Sequence, residues 1–223
     1  MLGEDDSDIQ TLRVLIRRLA NDETLPIRGK GFDGCGKLLK DGWKFLKTLP
    51  ELGCTRFIIT HDADQRDTNK IKRELVEKII KPSGIKTSIC LLVPVQEIEA
   101  WLLADIEAVS NIFKQWQPKP ELNPESIVHA KEHLEKLGRL AVSVHSPLGA
   151  RASRPLKWRP RWPRSQEKAG GSERLRLAGG RPRYLPATHN PQLAKHIDLT
   201  KVSKRCPSFR PLEEFVKQGK SNY

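Results

Sequence analysis

Apolar positions recur at helical spacing soon after the chain begins. Ile9, Leu12, Leu15, Ile16 and Leu19 predict a helix over 8–20, with Ser7 or Asp8 available to cap it. Residues 24–36 break the pattern and read as loop, with room for one short strand. Leu39, Trp43 and Leu46 predict a second helix over 37–49, which Pro50 ends. The run Arg-Phe-Ile-Ile-Thr over 56–60 is β-type. Helical spacing returns over 68–80 through Ile71, Leu75, Val76, Ile79 and Ile80. After a turn at Pro82-Ser83-Gly84, residues 87–95 are apolar almost throughout, as expected of a strand covered on both faces. Further helices are expected over 97–105, over 124–137 (Asn123 as cap, Pro124 at the first position) and over 208–216.

Strands alternating with helices imply parallel pairing through right-handed crossovers. The expected fold class is therefore α/β, a three-layer sandwich with a mainly parallel sheet. Ligands in such folds collect at the C-terminal ends of the strands. A helix so early in the chain calls for a strand before it, yet only Met1-Leu2-Gly3 precede the acidic run, so the first strand is expected to be truncated. Regular patterning stops near Leu148 and returns at Ala187. The stretch between is rich in Arg, Pro and Gly and carries Trp158 and Trp162. The expected organisation is an α/β domain over 1–147, a basic, disordered insertion over 148–186, and a return to the same domain over 187–223.

Charge sharpens that division. The 223 residues carry a formal net charge of +13. Residues 151–183 hold eleven basic and two acidic side chains, which leaves a surplus of only four for the rest of the chain. The arginines and tryptophans of the insertion suit phosphate contact and base stacking. Nothing in it resembles a folded module, however, and incidental polyanion affinity is the plainer reading. No run approaches the roughly 20 apolar residues of a membrane span, and no signal peptide is visible. Cys35, Cys54, Cys90 and Cys206 form no C-x-x-C pair and lie in or beside apolar segments. They read as reduced core residues, and the expected setting is cytoplasmic.

Three acidic clusters stand at predicted strand ends: Glu4-Asp5-Asp6-Ser7-Asp8, Asp62-Ala63-Asp64 after Phe57-Ile58-Ile59, and Glu97-Ile98-Glu99 after Pro94-Val95. Mg²⁺ prefers oxygen ligands and typically takes one or two carboxylates besides water and phosphate oxygens. In extended backbone, residues two apart point the same way, so Asp62 and Asp64 are expected to face one ion. A Glu from a neighbouring strand completes such a site or acts as general acid/base. Asp5, Asp6 and Asp8 have a plainer reading as acids favouring a helix start. Rival motifs fit less well. Arg66 and Arg73 stand where a calcium-binding EF-hand needs oxygen ligands, and Arg66 where haloacid-dehalogenase-type phosphatases expect Thr or Val. No lysine stands at 93–97, where a response-regulator receiver requires one.

These residues resemble the Toprim domains, which carry a Glu after the first strand and a later strand ending in D-x-D. The likeness is nearest to the bacterial domain-of-unknown-function family 4276, through Pro94–Asp105 (Pro-Val-Gln-Glu-Ile-Glu-Ala-Trp-Leu-Leu-Ala-Asp) and Cys206-Pro-Ser-Phe209. It covers about 1–140 and 187–217. The resemblance implies Glu4 as general acid/base, Asp62 and Asp64 as metal ligands, Glu97 and Glu99 as auxiliary ligands, and Mg²⁺ or Mn²⁺ as cofactor. The chain departs from the pattern in having Asp5 where a glycine is expected.

The expected function is divalent-metal-dependent phosphoester hydrolysis, most simply a nuclease acting on nucleic-acid phosphodiesters. The alternative is a non-catalytic cation- or nucleotide-binding module, or a receiver-like signalling domain, using the same pocket. The expected partner is nucleic acid, with no membrane. Three further features have plain readings: the glycine-rich run 29–36 as a flexible loop, His129 and His133 as a solvated helix face, and Trp101 as core.

Overall fold

The computed structural model describes residues 1–86, 88–109, 121–143 and 184–220. The expected insertion therefore lies outside the described residues, apart from Tyr184, Leu185 and Pro186. Among these residues four short strands form one sheet: β1 (Leu2–Gly3), β2 (Lys30–Gly31), β3 (Phe57–Thr60) and β4 (Ile89–Leu92). Their order is β2-β1-β3-β4 and every neighbouring pair is parallel. Leu2 stands opposite both Lys30 and Ile59, while β3 and β4 run in register from Phe57–Ile89 to Thr60–Leu92. The first strand is thus only two residues long, yet it lies inside the sheet.

Period-2 alternation sorts the strand side chains onto two faces. Leu2, Phe57 and Ile59 meet α2 (Cys35–Thr48) and α3 (Thr68–Leu75) through Leu38, Leu46, Ile71 and Leu75. A π turn (Val76–Ile80) and a last turn α4 (Lys81–Ser83) prolong α3 before Gly84 closes it at φ 74. On the opposite face Ile58, Cys90 and Leu92 meet α1 (Asp6–Ala20), α5 (Glu99–Leu103), α6 (Ile106–Val109), α7 (Ala130–Ser143), α8 (Pro186–His196), α9 (Leu199–Arg205) and α10 (Arg210–Lys220). Helices on both faces make the three-layer α/β sandwich. Each large aliphatic buried this way stabilises the fold by about 1.5–3 kcal/mol. Among the described residues no helix is long and apolar enough to cross a membrane.

Three elements differ from the pattern expected of them. The apolar run 87–95 contributes only Ile89–Leu92, in which Cys90 and Leu92 are buried while Ile89 and Leu91 are partly exposed. Among the described strands β4 is an edge, so one of its faces is only half covered. Pro94 has no N–H to donate and leaves the ladder one rung short, although its carbonyl still accepts from Ala63 N. The helix expected over 124–137 is split into a 3₁₀ turn (Pro124–Ser126) and α7. The Glu125 carboxylate is turned inward, accepting from both the backbone N–H and the hydroxyl of Ser208. Finally, α8 and α9 had no sequence counterpart.

The C-terminal part is bonded into the same core. Trp101 is fully buried, donates its indole N–H to Ser208 Oγ at 2.9 Å and meets Phe209 edge-on at 5.3 Å. Arg18 reaches from α1 to the end of α8, donating to Ala194 O and Ile197 O. Asp105 accepts from Asp198 N and from Lys201 Nζ at the start of α9.

Candidate functional site

Because β1 and β3 are neighbours, the residues that leave their C-terminal ends emerge side by side. Glu4 follows β1; His61 and Asp62 follow β3. Glu4 Oε1 accepts from Asp62 N at 2.9 Å and lies 3.1 Å from His61 Nδ1, which is itself 2.7 Å from Asp62 O. Two acceptors around Nδ1 place the imidazole proton there. Among the described residues the buried Nε2 has no hydrogen-bond partner.

Extended pairing continues beyond β3, through His61 N to Leu92 O and Ala63 N to Pro94 O. Alternation therefore carries Asp62 to the α1 face, beside Ile58 and Thr60. It stops at Asp64, where φ turns to 46. The Asp64 side chain is 60% exposed, and its cationic neighbour is Arg66 at 3.8 Å. Arg66 also donates to Ala63 O and Asp62 O, clasping this turn. The two aspartates thus do not share one direction; the left-handed turn separates them.

Glu97 and Glu99 part in a similar way. Glu97 Oε2 accepts from Lys131 N at 2.8 Å and so holds the start of α7. Glu99 opens α5 and is buried. Its Oε1 accepts from Asn190 Nδ2 at 2.9 Å, and Asn190 Oδ1 in turn accepts from the Tyr184 hydroxyl. Burial, together with the charges of Glu99 and Glu97, pushes the Tyr184 phenol upward.

Asp8 is the member that sequence reasoning passed over as a helix-start acid. It is buried on the first turn of α1 and accepts from Asp5 N at 3.2 Å. Burial, and next the charge of Glu99, push its carboxyl up to about 8. Asp62 is pushed well above the usual carboxylate range by desolvation and by the charges of Asp8, Glu99, Glu4 and Asp64. Burial raises Glu99 as well, partly offset by the Asn190 bond. Three carboxylates from three segments, Asp8, Asp62 and Glu99, therefore act on one another, with Glu4 at their side. A signal for Asp8 was available in principle: a second carboxylate within one helical turn of Glu4.

Among the described residues no ion pair joins Asp8, Asp62 or Glu99 to a lysine or arginine. Nor do three or more His, Cys, Asp or Glu side chains form a ready-made metal cage. The donor set fits a hard cation that uses one or two carboxylates and keeps its waters, as Mg²⁺ does. It does not fit a metal enclosed wholly by protein. Asp62 with Asp8 or Glu99 would hold such an ion.

The glycine-rich loop has a structural role beside this site. Gly31 N donates to Asp6 Oδ1, and a Cβ on Gly31 would stand 2.3 Å from Asp6 N. Only glycine lets the loop lie against the start of α1. Phe32 N and Gly34 N then both donate to Glu4 O, each at 3.0 Å.

A family model described as Domain of unknown function (DUF4276) matches residues 37–217. The chain belongs to DUF4276. The matched span includes Asp62, Asp64, Glu97, Glu99, Asn190 and the Trp101–Ser208 contact, while Glu4 and Asp8 precede it. No curated protein and no solved structure matches the chain significantly. In this DUF4276 chain the family-resembling words 94–105 and 206–209 are largely packing elements. Their carboxylates, Glu97, Glu99 and Asp105, are bonded to residues 34, 91 and 93 positions away.

Proposed function

We propose that the carboxylates at the ends of β1 and β3 form a Toprim-like, divalent-metal-dependent phosphoesterase site that cleaves nucleic-acid phosphodiesters. The observation that supports this most is the convergence of Asp8, Asp62 and Glu99 beside Glu4 without a paired basic side chain among the described residues. Buried like charges are costly unless a cation or a shared proton relieves them. Mg²⁺ or Mn²⁺ bound there would polarise a phosphate oxygen and offset the charge that develops on it.

The chain's own residues have separable tasks. Asp62 and Asp8 carry the negative charge that attracts the ion. Glu99 adds to it, held in place by Asn190 and Tyr184. Glu4, whose side chain is 17% exposed, is near enough to solvent to take a proton from an attacking water on the carboxylate oxygen that Asp62 N and His61 Nδ1 do not engage. His61 fixes the Glu4 carboxylate through Nδ1. Arg66 shapes the Asp62–Asp64 turn and stands at the rim, where a phosphate would arrive. Asp64 adds negative charge near Asp62 from that rim without sharing its direction, and Glu97 supports the site by anchoring α7. Four free cysteines accord with a reducing, cytoplasmic setting.

The test is cleavage of single- and double-stranded DNA and RNA in Mg²⁺, Mn²⁺ or EDTA, comparing the native chain with Asp62→Ala. Metal-dependent cutting that disappears in the variant is the expected result. No cutting by a folded native chain, or equal cutting by both, overturns the catalytic reading and favours a binding module.

A further inference from the structure

A groove of about 500 Å³ runs between β2 and α2, lined chiefly by Lys30, Phe32, Lys37, Lys44 and Phe45. We infer that this groove is the track along which a single strand of nucleic acid approaches Glu4. The inference rests on the proposed phosphodiesterase reading for its direction, but not for the binding itself.

Four observations carry it. First, the cations are arranged in a line. Lys37 and Lys44 line the groove, and Lys40 and Lys47 repeat the three- and four-residue spacing on exposed positions of α2 beside it, a stripe of about 15 Å at 1.5 Å per residue. Second, the groove has an aromatic wall. Phe45 is half-buried and meets the buried Phe32 edge-on at 6.3 Å, and Lys30 Nζ stands 4.9 Å and 5.8 Å from the Phe32 and Phe45 ring centres. A cationic groove with aromatic rings is how single strands are held without sequence preference.

Third, the cations are available. Among the described residues Lys30 makes no ion pair. Lys37 pairs with Asp33 at 3.2 Å and Lys44 with Asp41 at 2.7 Å, but all four side chains are well exposed. Exposed pairs of this kind contribute little and yield to a phosphate. Fourth, the groove adjoins the segment that carries Glu4: Phe32 N and Gly34 N each donate a hydrogen bond to the Glu4 backbone carbonyl. A Cβ built on Gly34 or Gly36, at the start of α2, would meet nothing within 4 Å.

The experiment measures fluorescence anisotropy of a labelled oligothymidylate with the full chain in EDTA, so that cleavage plays no part. The groove variant is Lys30→Glu/Lys37→Glu/Lys44→Glu. The control carries the same charge change outside the groove, Lys86→Glu/Lys195→Glu/Lys204→Glu. The groove variant is expected to lose at least tenfold in affinity while the control stays within threefold. Losing three phosphate contacts lowers the slope of log affinity against log salt by about 2. If the charge reversals do not fold, Lys30→Gln/Lys37→Gln/Lys44→Gln carries the test, with the same ordering against a Gln control. Native affinity in the groove variant, or an equal loss in the control, overturns the inference. A groove-dependent binder that never cuts in Mg²⁺ would instead sink the catalytic reading and leave the track standing.

Discussion

Replacing Asp8 with Asn tests the mutual crowding of the carboxylates most directly. Asn mimics the protonated acid, and its carbonyl oxygen can keep the 3.2 Å bond from Asp5 N. Burial, and then Glu99, push the Asp8 carboxyl from 3.8 up to about 8. The native state therefore keeps this proton where the unfolded chain has already lost it. The stability that results is fully present below 3.8 and is lost as pH rises from there through about 8. At about 1.4 kcal/mol for each pH unit in that window, the ceiling is about 6 kcal/mol. Asp62 and Glu99 respond to the same field and share the penalty, so we expect about 3 kcal/mol. Urea unfolding in EDTA measures it, as the difference between Asp8→Asn and the native chain at about pH 4 and about pH 9. The variant should gain on the native chain by about 3 kcal/mol across that range. Parallel pH curves for the two proteins would refute the reasoning.

Mg²⁺ added at pH 8 should raise the urea midpoint of the native chain and leave that of Asp62→Ala almost unmoved, since only the native cluster gains by neutralisation. Asn190→Ala leaves Glu99 Oε1 and the Tyr184 hydroxyl buried without their partner; a loss of about 2–4 kcal/mol is expected by chemical denaturation. Gly31→Ala drives a Cβ against the Asp6 backbone and should cost about 1–3 kcal/mol in the same measurement. Trp101→Phe keeps an aromatic ring against Phe209 but removes the donor to Ser208. A loss of about 1 kcal/mol from the hydrogen bond, plus the smaller ring's lost packing, should appear as a lowered Tm.

The helices α1 and α3 were legible because a buried helix face must repeat near every 3.6 residues, and Ile9 to Leu19 and Ile71 to Ile79 do so. The strand β3 and the acids after it were legible for a related reason. A short apolar run that stops abruptly at Asp62 has to leave the core there. The helix α8 was not legible as a helix: Pro191 lies inside it and only a few of its side chains are buried, so the patterning that returns at Ala187 carries no helical period there. Asp64 was expected to follow Asp62 toward one ion, but two successive residues with positive φ, Asp64 and Gln65, end the extended backbone.

Composition and periodicity by themselves determined an α/β chain whose carboxylates lie at strand ends, because burial and backbone pairing are local demands written into residue order. Which carboxylates meet was decided only by the tertiary structure. Asp8 became a site residue because folding buries it within the field of Glu99. Glu97 was drawn away to Lys131 N, and Glu99 was held by Asn190 from across the chain. Those pairings depend on how helices from distant segments cover one face of the sheet, and no spacing along the chain encodes that packing.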